Sequence, residues 1–191
     1  MNYTFSFFNV LLMYATNRNP DCPHILYNED IGASCCQKDI IELHSIQRVV
    51  TTPLISAERT PNMTWNGELA KKAQDIVRKC KFKYEPVEGG RLHTGQNMYL
   101  KCSNSDDIEA NWSEPIQYWF SEDKIRPNYA RTTSGSGQST WKKLHSLQVG
   151  CGYANYKIKE TDFFVEKRVG IRISRTGKDF CQVYACVYGP V

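Results

Sequence analysis

Gly150-Cys151-Gly152, together with Ala185-Cys186-Val187-Tyr188-Gly189-Pro190 close to the end of the chain, are the stretches on which the fold turns. Each cysteine stands in a β-type run, Leu147 to Tyr156 and Phe180 to Tyr188, so the pair suits a staple between two strands. A glycine on either side of Cys151 lets a neighbouring backbone come close. The chain carries 8 Cys. That even number favours a disulfide framework over the alternative of buried free thiols.

Working outward, 191 residues with 41% hydrophobic and 23% charged content read as one domain able to bury a real core. The net charge of +4 is mild. Residues 141–191 hold nine Lys and Arg against four Asp and Glu, scattered among strand residues as on a solvated face. No stacking motif or basic helix points to nucleic acid. Residues 1–16 contain an apolar stretch, Phe5 to Tyr14, too short to span a bilayer and read as a signal peptide. No second apolar run reaches membrane length. Three N-glycosylation sequons fit a secretory route: Asn2-Tyr3-Thr4, which leaves with the signal, Asn62-Met63-Thr64 and Asn111-Trp112-Ser113.

Residues 17–37 hold Cys22, Cys35 and Cys36 amid Asn, Pro and Gly and read as an irregular, cross-linked arm. A bond between the adjacent Cys35 and Cys36 is strained, so the two are expected to reach different partners. Helices are expected at 38–50, with Ile40, Leu43, Ile46 or Gln47 and Val50 on one face, and at about 66–81. The second has the stripe Leu69, Ala73, Ile76, Val77 and Cys80, Asn66 as N-cap and Trp65 as a staple. A third starts at Ser113, tolerates Pro115 in its first turn and runs to about Glu122. Residues 131–140 form a loop, and β runs follow at 147–156, 163–173 and 180–188, the last two joined by a hairpin at 174–179. Helices early and strands late give an α+β fold on a mainly antiparallel sheet.

These residues, in this order, resemble the CAP superfamily of cysteine-rich secretory, antigen 5 and pathogenesis-related 1 proteins, and its venom allergen-like branch most. His44-Ser45-Ile46-Gln47-Arg48 is similar to the family's His-Asn-x-x-Arg, and Trp65-Asn66 with Leu69-Ala70, Ala73-Gln74 and Cys80-Lys81-Phe82 to its second helix. Gly95-Gln96-Asn97 resembles its Gly-Glu-Asn turn, and Trp119-Phe120-Ser121-Glu122 its Trp-Tyr-x-Glu. The resemblance covers about residue 38 to the end, and implies a single CAP domain at 38–191 with a three-layer α-β-α sandwich. It also implies a Cys151–Cys186 bridge and a bond from Cys80 to Cys35 or Cys36. Cys22, Cys102 and Cys181 are left without assigned partners.

Many such domains place two His and two Glu around a cavity that can hold a divalent cation. At the matching positions this chain has Tyr84, Gln96, Glu122 and Gly137, or Gly135 when Trp141 is the anchor. Tyrosine is a poor zinc ligand at neutral pH, an amide is no base, and glycine has no donor; only Glu122 is retained. His93 and His145 read as exposed or core-edge residues, and His44 as one that packs and hydrogen-bonds internally. No metal, no cofactor and no catalytic residue is expected. The resemblance then leaves a secreted, non-catalytic binding or immunomodulatory scaffold, whose partner is a cell-surface receptor. The alternative is a sterol or fatty-acid carrier lined by aromatics such as Tyr153, Tyr156, Phe163 and Phe164, or Tyr118, Trp119 and Phe120; of these, Trp119 and Phe120 read as core, while Tyr153, Tyr156 and Tyr184 suit core and lining equally. A metal-dependent hydrolase ranks last. The sequence sets no oligomeric state.

Overall fold

The computed structural model describes residues 25–30, 33–51, 62–79, 95–104, 109–125, 146–157 and 180–189. The expected leader at 1–16, Cys22, Cys80, the loop at 131–140, the strand at 163–173 and the hairpin at 174–179 lie outside them. In chain order the described elements are β1 (Ile25–Asp30), α1 (Gln37–Thr51), β2 (Thr64–Trp65), α2 (Gly67–Arg78), β3 (Gly95–Ser103), α3 (Ser113–Ile125), β4 (Gln148–Lys157) and β5 (Phe180–Gly189). The strands make one sheet in the order β1-β4-β5-β3; β2 pairs in parallel with β4 and every other pairing is antiparallel.

Side chains alternate across a strand, and β5 shows the consequence. Cys181, Val183, Ala185 and Val187 pack with Leu69, Ala73, Ile76 and Val77 of α2, whereas Tyr184, Cys186 and Tyr188 join Ile40 of α1 and Ile116, Trp119 and Phe120 of α3. Helices therefore cover both faces of the sheet, as the expected sandwich requires. Leu69, Ala73, Ile76 and Val77 of the expected α2 stripe are buried as their spacing predicted. Removing each larger apolar side chain of this kind from water stabilises the fold by roughly 1.5–3 kcal/mol.

The glycines beside Cys151 have the role expected of them. A Cβ on Gly150 would meet the backbone of α2, 2.6 Å from Asn66 O, and one on Gly152 would lie 2.6 Å from Gln74 Cα. The helix rests directly on β4. Asn66 caps it, its Oδ1 accepting from Glu68 N at 2.9 Å and Leu69 N at 3.1 Å. Further along, the Gln74 amide bridges to β4, donating to Tyr153 O and accepting from Tyr153 N, both at 3.0 Å. Arg78 closes an ion pair on Glu29 of β1 at 2.7 Å.

Several expectations need correcting. Residues 25–30 are not irregular: they form an edge strand on β4, with a bulge between Leu26 and Asn28. Gly95-Gln96-Asn97 is not a turn but the start of β3, a strand the sequence reading missed because polar residues interrupt its alternation. Trp65 belongs to β2, paired with Val149, a strand the sequence reading did not expect. The first turn of α3 is capped from Asn111, whose Oδ1 accepts from Ser113 N at 3.2 Å. On α1, Ile46 and Val50 are exposed, and the buried positions are Ile40, His44 and Arg48. That face holds two polar groups because each has a partner across the core.

Candidate functional site

The Gly-Cys-Gly strand and the terminal strand meet as expected: Cys151 pairs directly with Cys186 across β4 and β5, and the two are disulfide-bonded. Cys102 and Cys181, which the sequence left unassigned, are joined across β3 and β5. The central strand β5 is thus tied covalently to both of its neighbours. Cys35 and Cys36 contradict the expectation of separate partners, for they are bonded to each other. The cause is the turn before α1. Ala33 takes a left-handed φ of 48°, and Cys36 N donates back to Ala33 O at 3.0 Å, curling the two residues into one compact turn.

Beside the Cys151–Cys186 staple runs a buried polar chain. His44 Nδ1 lies 2.7 Å from Ile40 O, and a carbonyl can only accept, so Nδ1 carries the proton. In the neutral ring Nε2 then accepts from the Tyr188 hydroxyl at 2.9 Å, and that hydroxyl accepts from Asn97 Nδ2 at 3.2 Å. Phe120 and Tyr188 both meet the imidazole edge to face. One helical turn on, Arg48 is buried and donates to Ser146 O at 2.6 Å, just before β4. Burial pulls the guanidinium below its ordinary pKa, with Tyr188 acting in the opposite sense. It stays charged, as arginine does. Chemically, this chain fixes α1 against the sheet.

Of the four cation-site positions, Tyr84 and Gly137 lie outside the described residues, as do Gly135, His93 and His145. Gln96 is buried on β3, opposite Val187. By strand alternation it shares the face of Met98 and Leu100, which pack with α2. Glu122 falls within α3, in the stretch whose side chains lie outside the described ones. Among the described residues one group of potential ligands does lie together: Asp30, Cys35 and Cys36. Nothing in the spacing had marked it, because a strand and a turn must first fold to bring Asp30 beside the cysteines.

Trp119 and Phe120 are core, as expected, and Tyr153, Tyr156 and Tyr184, which had equal claim to core or lining, are core as well. Tyr153, Tyr156, Tyr184, Trp119 and Phe120 are each 1% exposed. Trp119 Nε1 donates to Met98 O at 2.9 Å, and Tyr156 donates its hydroxyl proton to Val77 O at 2.7 Å. Tyr118 is half-buried, against Tyr99, and Phe163 and Phe164 lie outside the described residues. The sequon asparagines Asn62 and Asn111 are both exposed, with Met63 and Trp112 buried between them and their hydroxyl partners.

A disulfide-stapled, mainly antiparallel sheet held between helices, with a His–Tyr–Asn chain in its core, defines an α-β-α sandwich. The chain belongs to the cysteine-rich secretory protein family, CAP, whose family model matches residues 42–166. It is similar to venom allergen 5 of Tityus serrulatus, 30% identical over 140 residues that cover 67% of this chain and 29% of that one. Salivary antigen-5 of Dipetalogaster maximus is 27% identical over 138 residues, 63% of this chain and 55% of that one. The chain thus spans only 29% to 55% of the length of these relatives. A solved structure, Schistosoma mansoni venom allergen-like protein 4, covers 81% of this chain and 89% of its own at 15% identity and a TM-score of 0.43, too distant to carry an argument. No helix among the described residues is long and apolar enough to cross a membrane.

Proposed function

We propose that this protein is a secreted, non-catalytic CAP scaffold that acts by binding an extracellular partner, a cell-surface receptor in an immunomodulatory setting. One observation carries the reading: the frame residues are kept, while the positions that the resemblance matches to the cation site, Glu122 apart, carry other residue types. His44, Arg48, Cys151, Cys186 and Tyr188 are buried and bonded. At the four site positions, by contrast, the chain has Tyr84, Gln96, Glu122 and Gly137. A lone carboxylate does not fill zinc's usual set of three or four protein ligands. Names of relatives such as venom allergen 5 and salivary antigen-5 support an extracellular setting. On this reading residues 1–16 are a leader, 17–37 an arm and 38–191 the domain, with glycans at Asn62 and Asn111.

The test is zinc titration by calorimetry on the purified secreted protein beside Glu122→Ala. No zinc binding, or weak binding that Glu122→Ala leaves unchanged, is expected. Tight binding abolished by that substitution would restore the hydrolase reading. Mass spectrometry of organic extracts from the same preparation addresses the alternative, a sterol or fatty-acid carrier; recovery of a stoichiometric lipid would replace the receptor reading. The carrier draws little from the described aromatics, which are committed to the core.

A further inference from the structure

Asp30, Cys35 and Cys36 meet in the turn that joins β1 to α1, their ligating atoms all within 4.8 Å of one another. Asp30 Oδ2 lies 3.1 Å from Cys35 Sγ. The other carboxylate oxygen accepts from Ser34 N at 2.9 Å and from Ser34 Oγ at 2.8 Å, so the turn itself aims the carboxylate at the sulfurs. Ala33, fully buried, anchors the turn from below. Cys35 is exposed and Cys36 half-buried, whereas Cys151 and Cys186 are fully buried and Cys181 nearly so.

We propose that this turn is a redox-gated site for a soft divalent cation of the zinc and cadmium class. In the oxidised chain the sulfurs are bonded to each other and only one anionic oxygen is on offer. A dithiol reductant attacks the exposed disulfide, delivers two electrons and two protons to it, and is itself oxidised to a disulfide. The cation then displaces both thiol protons and takes two thiolates and the Asp30 carboxylate, leaving a fourth position for water. Soft thiolates select the cation. Like charges crowded around one turn make its arrival favourable. The bond between Cys35 and Cys36 closes no loop beyond its own two residues, so opening it releases no chain and leaves the fold in place. The inference stands apart from the vacated cation site and is tested separately from it.

The experiment uses the full-length chain. Peptide mapping without reduction is expected to find Cys35 joined to Cys36; a bond from either to Cys22, Cys80 or any other cysteine overturns the proposal. Graded dithiothreitol under native conditions, with free thiols trapped by iodoacetamide, should label Cys35 and Cys36 well before Cys102, Cys151, Cys181 and Cys186. Simultaneous release overturns it. After selective reduction and desalting, cadmium alone should give a thiolate-to-metal ultraviolet band saturating at one ion per chain, absent from the oxidised protein and from the Cys35→Ser, Cys36→Ser double variant. Asp30→Asn keeps an oxygen for Ser34 but drops the charge. It should weaken cadmium binding at least about tenfold, the cost of losing even an outer partner of a metal. An unchanged affinity, or a band in the oxidised protein, overturns the three-ligand site.

Discussion

A Cβ on Gly152 would lie 2.6 Å from both Cα and N of Gln74, helix backbone that no side-chain rotation can move aside, with the Gln74 amide oxygen next at 2.7 Å. Gly152→Ala therefore has to lift α2 off β4, and a urea titration should show it destabilised by about 3 kcal/mol, the upper range for overpacking. Gly67 provides the contrast: nothing lies within 4 Å of its Cβ position at the start of α2. Gly67→Ala should leave the midpoint unchanged or raise stability by up to about 1 kcal/mol. Equal midpoints for the two variants would mean that helix and strand are not in the contact described. At this scale the sequence was informative, since flanking glycines announce a close approach without naming what approaches. It also gave His44 its internal role, though not its partners: Tyr188 and Asn97 lie 144 and 53 positions away, beyond any local pattern.

Between elements, the joint of α2 to the sheet carries a pH signature. Tyr156 on β4 donates to Val77 O, and its pKa is pushed well up, first by burial and then by the nearby charge of Glu29, with Arg78 opposing. The ordinary tyrosine value is about 10. Above that pH the unfolded chain has released this proton while the folded chain still holds it, so the unfolded state binds fewer protons and stability falls as pH rises. The expected loss is about 1.4 kcal/mol per pH unit from this residue. Tyr156→Phe should be less stable at pH 8 by about 1 kcal/mol for the lost hydrogen bond, yet show a shallower alkaline limb than wild type. Parallel limbs from urea titrations at pH 8 to 11 would refute the assignment. Elements were unevenly legible for related reasons. α2 buries an apolar stripe and could be read; α1 buries His44 and Arg48 and leaves Ile46, Val49 and Val50 exposed, so hydrophobicity alone set its face wrongly. β1 and β3 were missed because pairing with β4 and β5 makes them strands, more than their own composition does.

For the molecule as a whole, β5 is the strand that both cores and both inter-strand staples share. Chain entropy and packing rank those staples in opposite order. The bonds span 35 residues for Cys151–Cys186 and 79 for Cys102–Cys181. Loop closure alone gives each roughly 4 kcal/mol, with the longer loop ahead by about 0.7 kcal/mol. The two loops overlap over 151–181, so each bond shortens the closure left to the other and both figures are upper values. Packing reverses the order. Cys151 and Cys186 are fully buried among Tyr153, Tyr184 and Tyr188, whereas Cys102 is only partly covered. Deleting the inner sulfurs leaves a cavity in a core that cannot collapse far, because Gly150 and Gly152 already hold α2 against the opposite face of β4. The double variant Cys151→Ala, Cys186→Ala should therefore cost more than Cys102→Ala, Cys181→Ala, by on the order of 1–2 kcal/mol in equilibrium urea unfolding without reductant. The opposite ranking would show that the staples act on the unfolded chain, and that the sheet between the helices keeps its packing without the sulfur at its centre.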